Sequence, residues 1–161
     1  MKNLVDSRLH NVYLKPGEVF VSRTPSLVST VLGSCVSVTL FSRSACMGAI
    51  CHAMLPSGTD QDQLRYVDSA VEYIYVQLAA ISGQSGGFEA KLFGGANVLV
   101  QGGNQQASVG GLNVEAAMRA IEQLELKLIS FDTGGEQGRK IFFYSGTGEV
   151  YLRSVKKSIR R

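Results

Sequence analysis

The sequence predicts an α+β fold, a layered sandwich in which two main helices pack on a largely antiparallel sheet. Three observations predict it. Apolar residues alternate with polar ones through most of the first third and last quarter of the chain, two internal stretches carry helical spacing, and no internal repeat or linker divides them. One domain spanning 1–161 is expected, and a chain of 161 residues buries roughly 70% of the surface its unfolded form exposes.

The first strands are predicted over Glu18 to Ser22, Leu27 to Leu32, Val36 to Leu40 and Met47 to Met54. Gly33 and Ser34 interrupt the second and third, so Cys35 stands where the chain leaves a turn and enters a half-buried strand. Pro56 to Thr59 break the pattern. Leu64, Val67, Val71, Ile74, Leu78 and Ile81 then follow helical spacing, with Gly83 as the stop. A short strand is expected at Lys91 to Phe93, and the six glycines between Gly94 and Gly111 predict a mobile surface loop. Asn113 reads as the cap of a second helix carrying Val114, Ala117, Met118, Ile121 and Leu124 on one face. Strands follow at Leu126 to Phe131, Lys140 to Tyr144 and Glu149 to Val155, the last two joined through Ser145-Gly-Thr-Gly148.

Composition narrows the function. Hydrophobic residues make up 45% of the chain and charged residues 18%, as in a compact globule and unlike a disordered segment. The net charge is only +3, and Lys156, Lys157, Arg160 and Arg161 gather much of the excess into a terminal tail, so no nucleic-acid partner is expected. No segment approaches the ~20 apolar residues of a membrane span, and the N-terminus lacks a signal-peptide pattern, which places the protein in the cytoplasm by expectation. Three cysteines without a CxxC pair argue against a disulfide framework.

Cys35 and His52 are the residues that could carry chemistry. If their strands are antiparallel neighbours, the start of one lies beside the end of the other. An imidazolium beside Cys35 would then stabilise the thiolate, the reactive form of a group whose free pKa is about 8.5. Gly33 permits close approach of a substrate, and the Cys35 amide N–H is a candidate oxyanion donor. The structural alternative is a buried cysteine behaving as a small hydrophobe. His10 lies near the N-terminus and is a poor catalytic candidate; a zinc site from Cys46, Cys51 and His52 fits no common ligand spacing. The glycine pairs lack the signatures of nucleotide-binding loops. In Asp132-Thr-Gly-Gly135 with Gly138-Arg139, the arginine reads as structurally paired rather than substrate-contacting.

Six motifs in order, Thr30-Val-Leu-Gly-Ser-Cys35-Val-Ser-Val, Cys51-His52-Ala-Met-Leu-Pro56, Arg65-Tyr-Val-Asp68, Lys91-Leu-Phe-Gly-Gly-Ala96, Gly111-Leu-Asn-Val-Glu115 and Asp132-Thr-Gly-Gly135 with Gly138-Arg139, resemble the CheD family of chemoreceptor glutamine deamidases. The resemblance implies an enzyme that converts glutamines of methyl-accepting chemotaxis receptors to glutamates without cofactor or metal, in a fold similar to the catalytic domain of the cytotoxic necrotizing factor toxins. It implies Cys35 as nucleophile, His52 as base and Ser29 as the polar residue that orients the ring, with Thr30 the neighbouring contender and Gly33 and Ser34 as oxyanion or substrate-positioning candidates. In the implied reaction His52 acts as an imidazolium toward the departing ammonia. Binding to the CheC phosphatase is the alternative role, and a papain-type protease is a rival reading of the same residue pair. Leu112 replaces an arginine common in the family, and Cys51 replaces a smaller or apolar residue.

Overall fold

The computed structural model describes residues 8–97 and 108–155. Nine strands form two sheets, and two helices cover one of them. The strands are β1 (His10–Tyr13), β2 (Val19–Ser22), β3 (Ser26–Leu32), β4 (Val36–Ser42), β5 (Met47–Cys51), β6 (Glu89–Gly94), β7 (Lys127–Thr133), β8 (Gly138–Tyr144) and β9 (Val150–Val155); the helices are α1 (Val67–Ser82) and α2 (Val109–Gln123). One sheet has the order β1-β3-β8-β9 and the other β2-β5-β4-β6-β7. Five strand pairings are antiparallel, while β1–β3 and β6–β7 are parallel.

The expectation of a layered α+β sandwich holds, with one correction: two sheets replace the single sheet. Period-two patterning tells which side chains a strand buries but not which sheet it joins. Strand β1, before the first strand expected from the sequence, is a further difference. It pairs in parallel with β3, from Asn11 against Leu27 to Tyr13 against Ser29, and a parallel pair needs no local hairpin to announce it.

Two apolar layers follow from this order. Val36, Val38 and Leu40 of β4, Ala49 and Cys51 of β5 and Leu92 of β6 meet Val67, Val71, Ile74 and Leu78 of α1 and Ala117 and Ile121 of α2. The opposite pleat faces inward between the sheets, where Val28 and Leu32 of β3 and Ile141 and Phe143 of β8 pack with Ile50, Phe93 and the partly buried Cys35. Strands β4 and β5 thus sort alternate residues into two environments, and the active-site candidates occupy the layer between the sheets.

Both helix ends have local causes. Gly83 closes α1 in the left-handed region at φ 69°, as its position in the sequence implied. For α2 the cap differs from expectation. Ser108, not Asn113, accepts the Gly111 N–H at 3.0 Å, and the helix begins five residues earlier than Asn113 would set it. The glycines read as the end of a loop, Gly110 and Gly111, lie inside that helix, and Gly94 ends β6; the rest of the expected loop, 98–107, lies outside the described residues, as does the basic tail from 156.

Gly110 is there for space. A β-carbon on it would stand 2.5 Å from the carbonyl oxygens of both Gly95 and Ala96. An alanine inside a helix ordinarily stabilises by about 1 kcal/mol over glycine, but here the sign should reverse. Gly110→Ala is expected to destabilise by roughly 1–3 kcal/mol through overpacking, as read by urea unfolding, and a stabilised variant would contradict this helix placement.

Candidate active site

Strands β4 and β5 are joined by a tight hairpin and keep one register from Ser42 opposite Met47 to Thr39 opposite Ile50. The same register extends past the strand end: Val36 and Ala53 exchange two backbone hydrogen bonds, 3.0 and 2.9 Å. Cys35 and His52 each precede a member of that pair, so both side chains point to the layer between the sheets from diagonal positions. In such a pair the diagonal β-carbons lie roughly 7–8 Å apart or less, within the combined reach of a thiol and an imidazole.

Three consecutive carbonyls hold the turn before β4. The Gly33 carbonyl accepts from Ala96 N at 2.9 Å and the Cys35 carbonyl from Gly95 N at 2.9 Å. Between them the Ser34 carbonyl accepts from Asn113 Nδ2 at 2.9 Å, and the same nitrogen donates to the Met54 carbonyl at 3.0 Å. Gly94 sits against this turn at φ 104°, where a β-carbon would stand 2.4 Å from the Cys35 carbonyl oxygen. No other residue type fits there.

His52 is almost fully buried, at 2% exposure. Its backbone is pinned on both sides, His52 N to the Glu18 carbonyl at 3.0 Å and Gly17 N to the His52 carbonyl at 2.8 Å. The ring is fixed by Thr30. Thr30 Oγ1 donates to the Leu14 carbonyl at 2.7 Å and stands 2.6 Å from His52 Nδ1. A hydroxyl has one hydrogen, and here the carbonyl takes it, so Oγ1 must accept from Nδ1–H. The neutral ring therefore carries its proton on Nδ1, and Nε2, buried and without a hydrogen-bond partner among the described residues, keeps its lone pair.

Ser29, the expected orienting residue, is not the one that meets the ring. In the β3–β8 register Ser29 lies opposite Phe142 and Thr30 opposite Ile141. Ile141 faces the layer between the sheets, whereas Ser29 lines an outer hollow of about 250 Å³ with Tyr13, Lys140 and Phe142. Adjacent residues of a strand face opposite ways, and only Thr30 shares a face with His52.

Electrostatics corrects a second expectation. Burial lowers the His52 pKa to about 4, and burial raises that of Cys35 above its usual value, partly offset by the Cys35 N–H directed at its own sulfur. Burial thus favours thiol and imidazole over the thiolate and imidazolium the sequence suggests. Desolvation penalises both charged forms.

The remaining candidates separate. Cys46 is exposed in the β4–β5 turn at φ 53°, Cys51 is buried on the helix-facing pleat with its pKa pushed up to about 12, and His52 faces the other way. They cannot share a metal ion. Arg139 is paired as expected, its Nε donating to Asp132 Oδ1 and Nη2 to the Gly134 carbonyl, both at 2.7 Å. Leu112 is exposed and His10 lies on an exposed edge strand. Asn113 is the site residue that sequence reasoning misplaced. Its signal was Gly110 one turn earlier, a small residue that lets α2 approach closely.

An α+β sandwich that sets a half-buried thiol and a buried, oriented imidazole at diagonal positions of one strand pair defines the class of site. The family model for CheD chemotactic sensory transduction matches residues 54–154. The chain is also 40% identical over 151 residues to the probable chemoreceptor glutamine deamidase CheD 2 of Geobacter sulfurreducens, covering 94% of each chain. Probable CheD deamidases of Maridesulfovibrio salexigens and Thermococcus kodakarensis are each 35% identical, over 94% and 86% of this chain. The chain belongs to the CheD family. Among the described residues no helix is long and apolar enough to cross a membrane.

Two outcomes test the site. Thr30→Val should cost about 2 kcal/mol or more in urea unfolding, because it strands both the Leu14 carbonyl and the His52 Nδ1–H, whereas Ser29→Ala should stay within roughly 0.5 kcal/mol. An equal cost at the two positions would contradict the assignment. As pH falls, the unfolded chain protonates His52 near 6.5 while the folded chain resists until about 4. Stability should thus be unaffected by His52 above about pH 7 and decline between about 6.5 and 4, by up to roughly 3 kcal/mol. His52→Gln should remove that part of the slope, and an unchanged slope would refute the buried neutral imidazole.

Proposed function

We propose that this protein deamidates glutamine side chains of chemoreceptors, with Cys35 as nucleophile and His52 as general base. The observation that carries the reading is the Thr30–His52 hydrogen bond, which leaves Nε2 as the basic nitrogen on the face that Cys35 shares. The names of the relatives supply the substrate: each is a probable chemoreceptor glutamine deamidase.

Because both groups rest neutral, the base works during the attack. As sulfur bonds to the side-chain amide carbon, the Cys35 proton passes to His52 Nε2, and the amide oxygen becomes an oxyanion. The C–N bond then breaks, the imidazolium returns its proton to nitrogen, and ammonia leaves a thioester. Water attacks that thioester, giving a proton to neutral His52, and the carbon–sulfur bond breaks to yield glutamate and the thiol. The Cys35 N–H, adjacent in the chain to the nucleophile, is the oxyanion donor. No step calls for a metal ion or organic cofactor.

A folded protein is the fitting substrate. Val109 and Leu112 are exposed one turn apart on α2, and Met54 and Leu55 are exposed on the chain that Asn113 holds, a rim suited to an apolar helix face. The likeness to the cytotoxic necrotizing factor domain belongs to this proposal and rests on the Cys and His pair. Binding to CheC is a separable role that needs no thiol.

Cys35→Ala should abolish conversion of receptor glutamine to glutamate, measured as about one mass unit per site on purified receptor cytoplasmic fragments, while leaving the receptor chain uncut in every case. Full conversion by the alanine variant would sink the mechanism, and cleaved receptor would favour a protease. In a Cys46→Ser background, alkylation of wild-type Cys35 by iodoacetamide should keep rising through about pH 9. A plateau near neutrality would mean a resting thiolate instead.

A further inference from the structure

We propose that Asn113 is a positioning residue of the reaction, holding the Ser34–Cys35 peptide so that its N–H faces the developing oxyanion and locking the nucleophile turn to the histidine strand. The inference rests on the function proposed above.

In a trans peptide the carbonyl and the following N–H point in opposite directions. Asn113 draws the Ser34 carbonyl toward α2 at 2.9 Å, which turns the Cys35 N–H away from α2. The flanking carbonyls of Gly33 and Cys35 are held by Ala96 N and Gly95 N, so the turn has no other conformation to relax into while those contacts last. Asn113 supplies the only side chain among these three anchors.

Its second hydrogen goes to the Met54 carbonyl at 3.0 Å, two residues beyond His52. One carboxamide therefore bridges the segment carrying the thiol and the segment carrying the imidazole, on the far side from the Val36–Ala53 pair. An asparagine is required in this place. Aspartate has no donor when ionised, glutamine is one methylene too long for the same backbone, and an apolar residue would leave both carbonyls unpaired. Gly110, one turn earlier on the same helix face, makes the reach possible by letting the helix backbone approach Gly95 and Ala96.

A further observation separates this residue from a packing asparagine. It is fully buried, yet its Oδ1 has no partner among the described residues. An unpaired buried acceptor carries a desolvation cost. The side chain is thus kept for its two donors alone, both spent on the catalytic segments.

The test compares Asn113→Ala and the shape-preserving Asn113→Asp with wild type and Cys35→Ala, in the full chain, on receptor cytoplasmic fragments. Both Asn113 variants should lose about 100-fold in kcat, the scale of one misdirected oxyanion donor, with KM within about threefold. Iodoacetamide alkylation of Cys35, in a Cys46→Ser background, should stay within about threefold of wild type, because that displacement develops no oxyanion. Turnover within about threefold of wild type would overturn the inference. So would parallel losses of deamidation and alkylation, which mark a general loosening, or an aspartate variant that does not fold, which marks a residue needed by the fold alone. If Cys35→Ala is inactive while the Asn113 variants turn over normally, this inference alone fails; if Cys35→Ala still deamidates, the proposed function fails instead.

Discussion

The Leu14 carbonyl decides which nitrogen of His52 is a base. It takes the only hydrogen of the Thr30 hydroxyl, and the hydroxyl oxygen must in turn take the hydrogen of Nδ1. Every later property of the site inherits that direction. With Nδ1 occupied, Nε2 is the free lone pair, and with the ring buried and its backbone tied to Gly17 and Glu18, the lone pair has one fixed heading. Thr30 orients this ring as a carboxylate does in serine-hydrolase triads, but without adding a charge that would favour the imidazolium.

That choice has a consequence for the chemistry. A site that keeps both partners neutral does not store a thiolate, so the thiol is less exposed to oxidation and alkylation than one held beside an imidazolium. In the proposed reaction, proton transfer is deferred to the moment of attack, when the developing oxyanion would be met by the Cys35 N–H. The sheet arrangement makes this economical: β4 and β5 send alternate residues to the helix layer and to the layer between the sheets, so Cys51 can be core while its neighbour His52 serves the site. The turn before β4 is held through its carbonyls by Gly95 and Ala96, which follow β6, and by Asn113 of α2.

Much of this was legible in the residues. The alternation from Glu18 to Met54 announced β2 to β5, helical spacing and Gly83 bounded α1, and the pairing of Arg139 followed from the turn glycines around it. The register that sets Cys35 and His52 at diagonal positions was readable because a hairpin fixes register locally. What failed was non-local. Nothing in the period of β3 tells that it leaves the β4 sheet to pair with β8, and without that pairing Ser29 and Thr30 cannot be told apart, although they face opposite sides. Burial of His52, which disfavours its imidazolium, was hidden for the same reason, since it depends on a second sheet that the sequence did not announce. Asn113 was taken for a cap because asparagine ahead of an apolar run usually is one; the glycines before it looked like loop rather than a close helix contact.

The tautomer of His52 is the most direct measure of the account. Long-range proton–nitrogen NMR of the chain, whose two histidines are separable by a His10→Gln variant, reports which ring nitrogen is protonated. The account predicts a neutral ring protonated at Nδ1 and bare at Nε2 from about pH 8 down to about pH 5. A ring protonated at Nε2, or an imidazolium near pH 7, would contradict it.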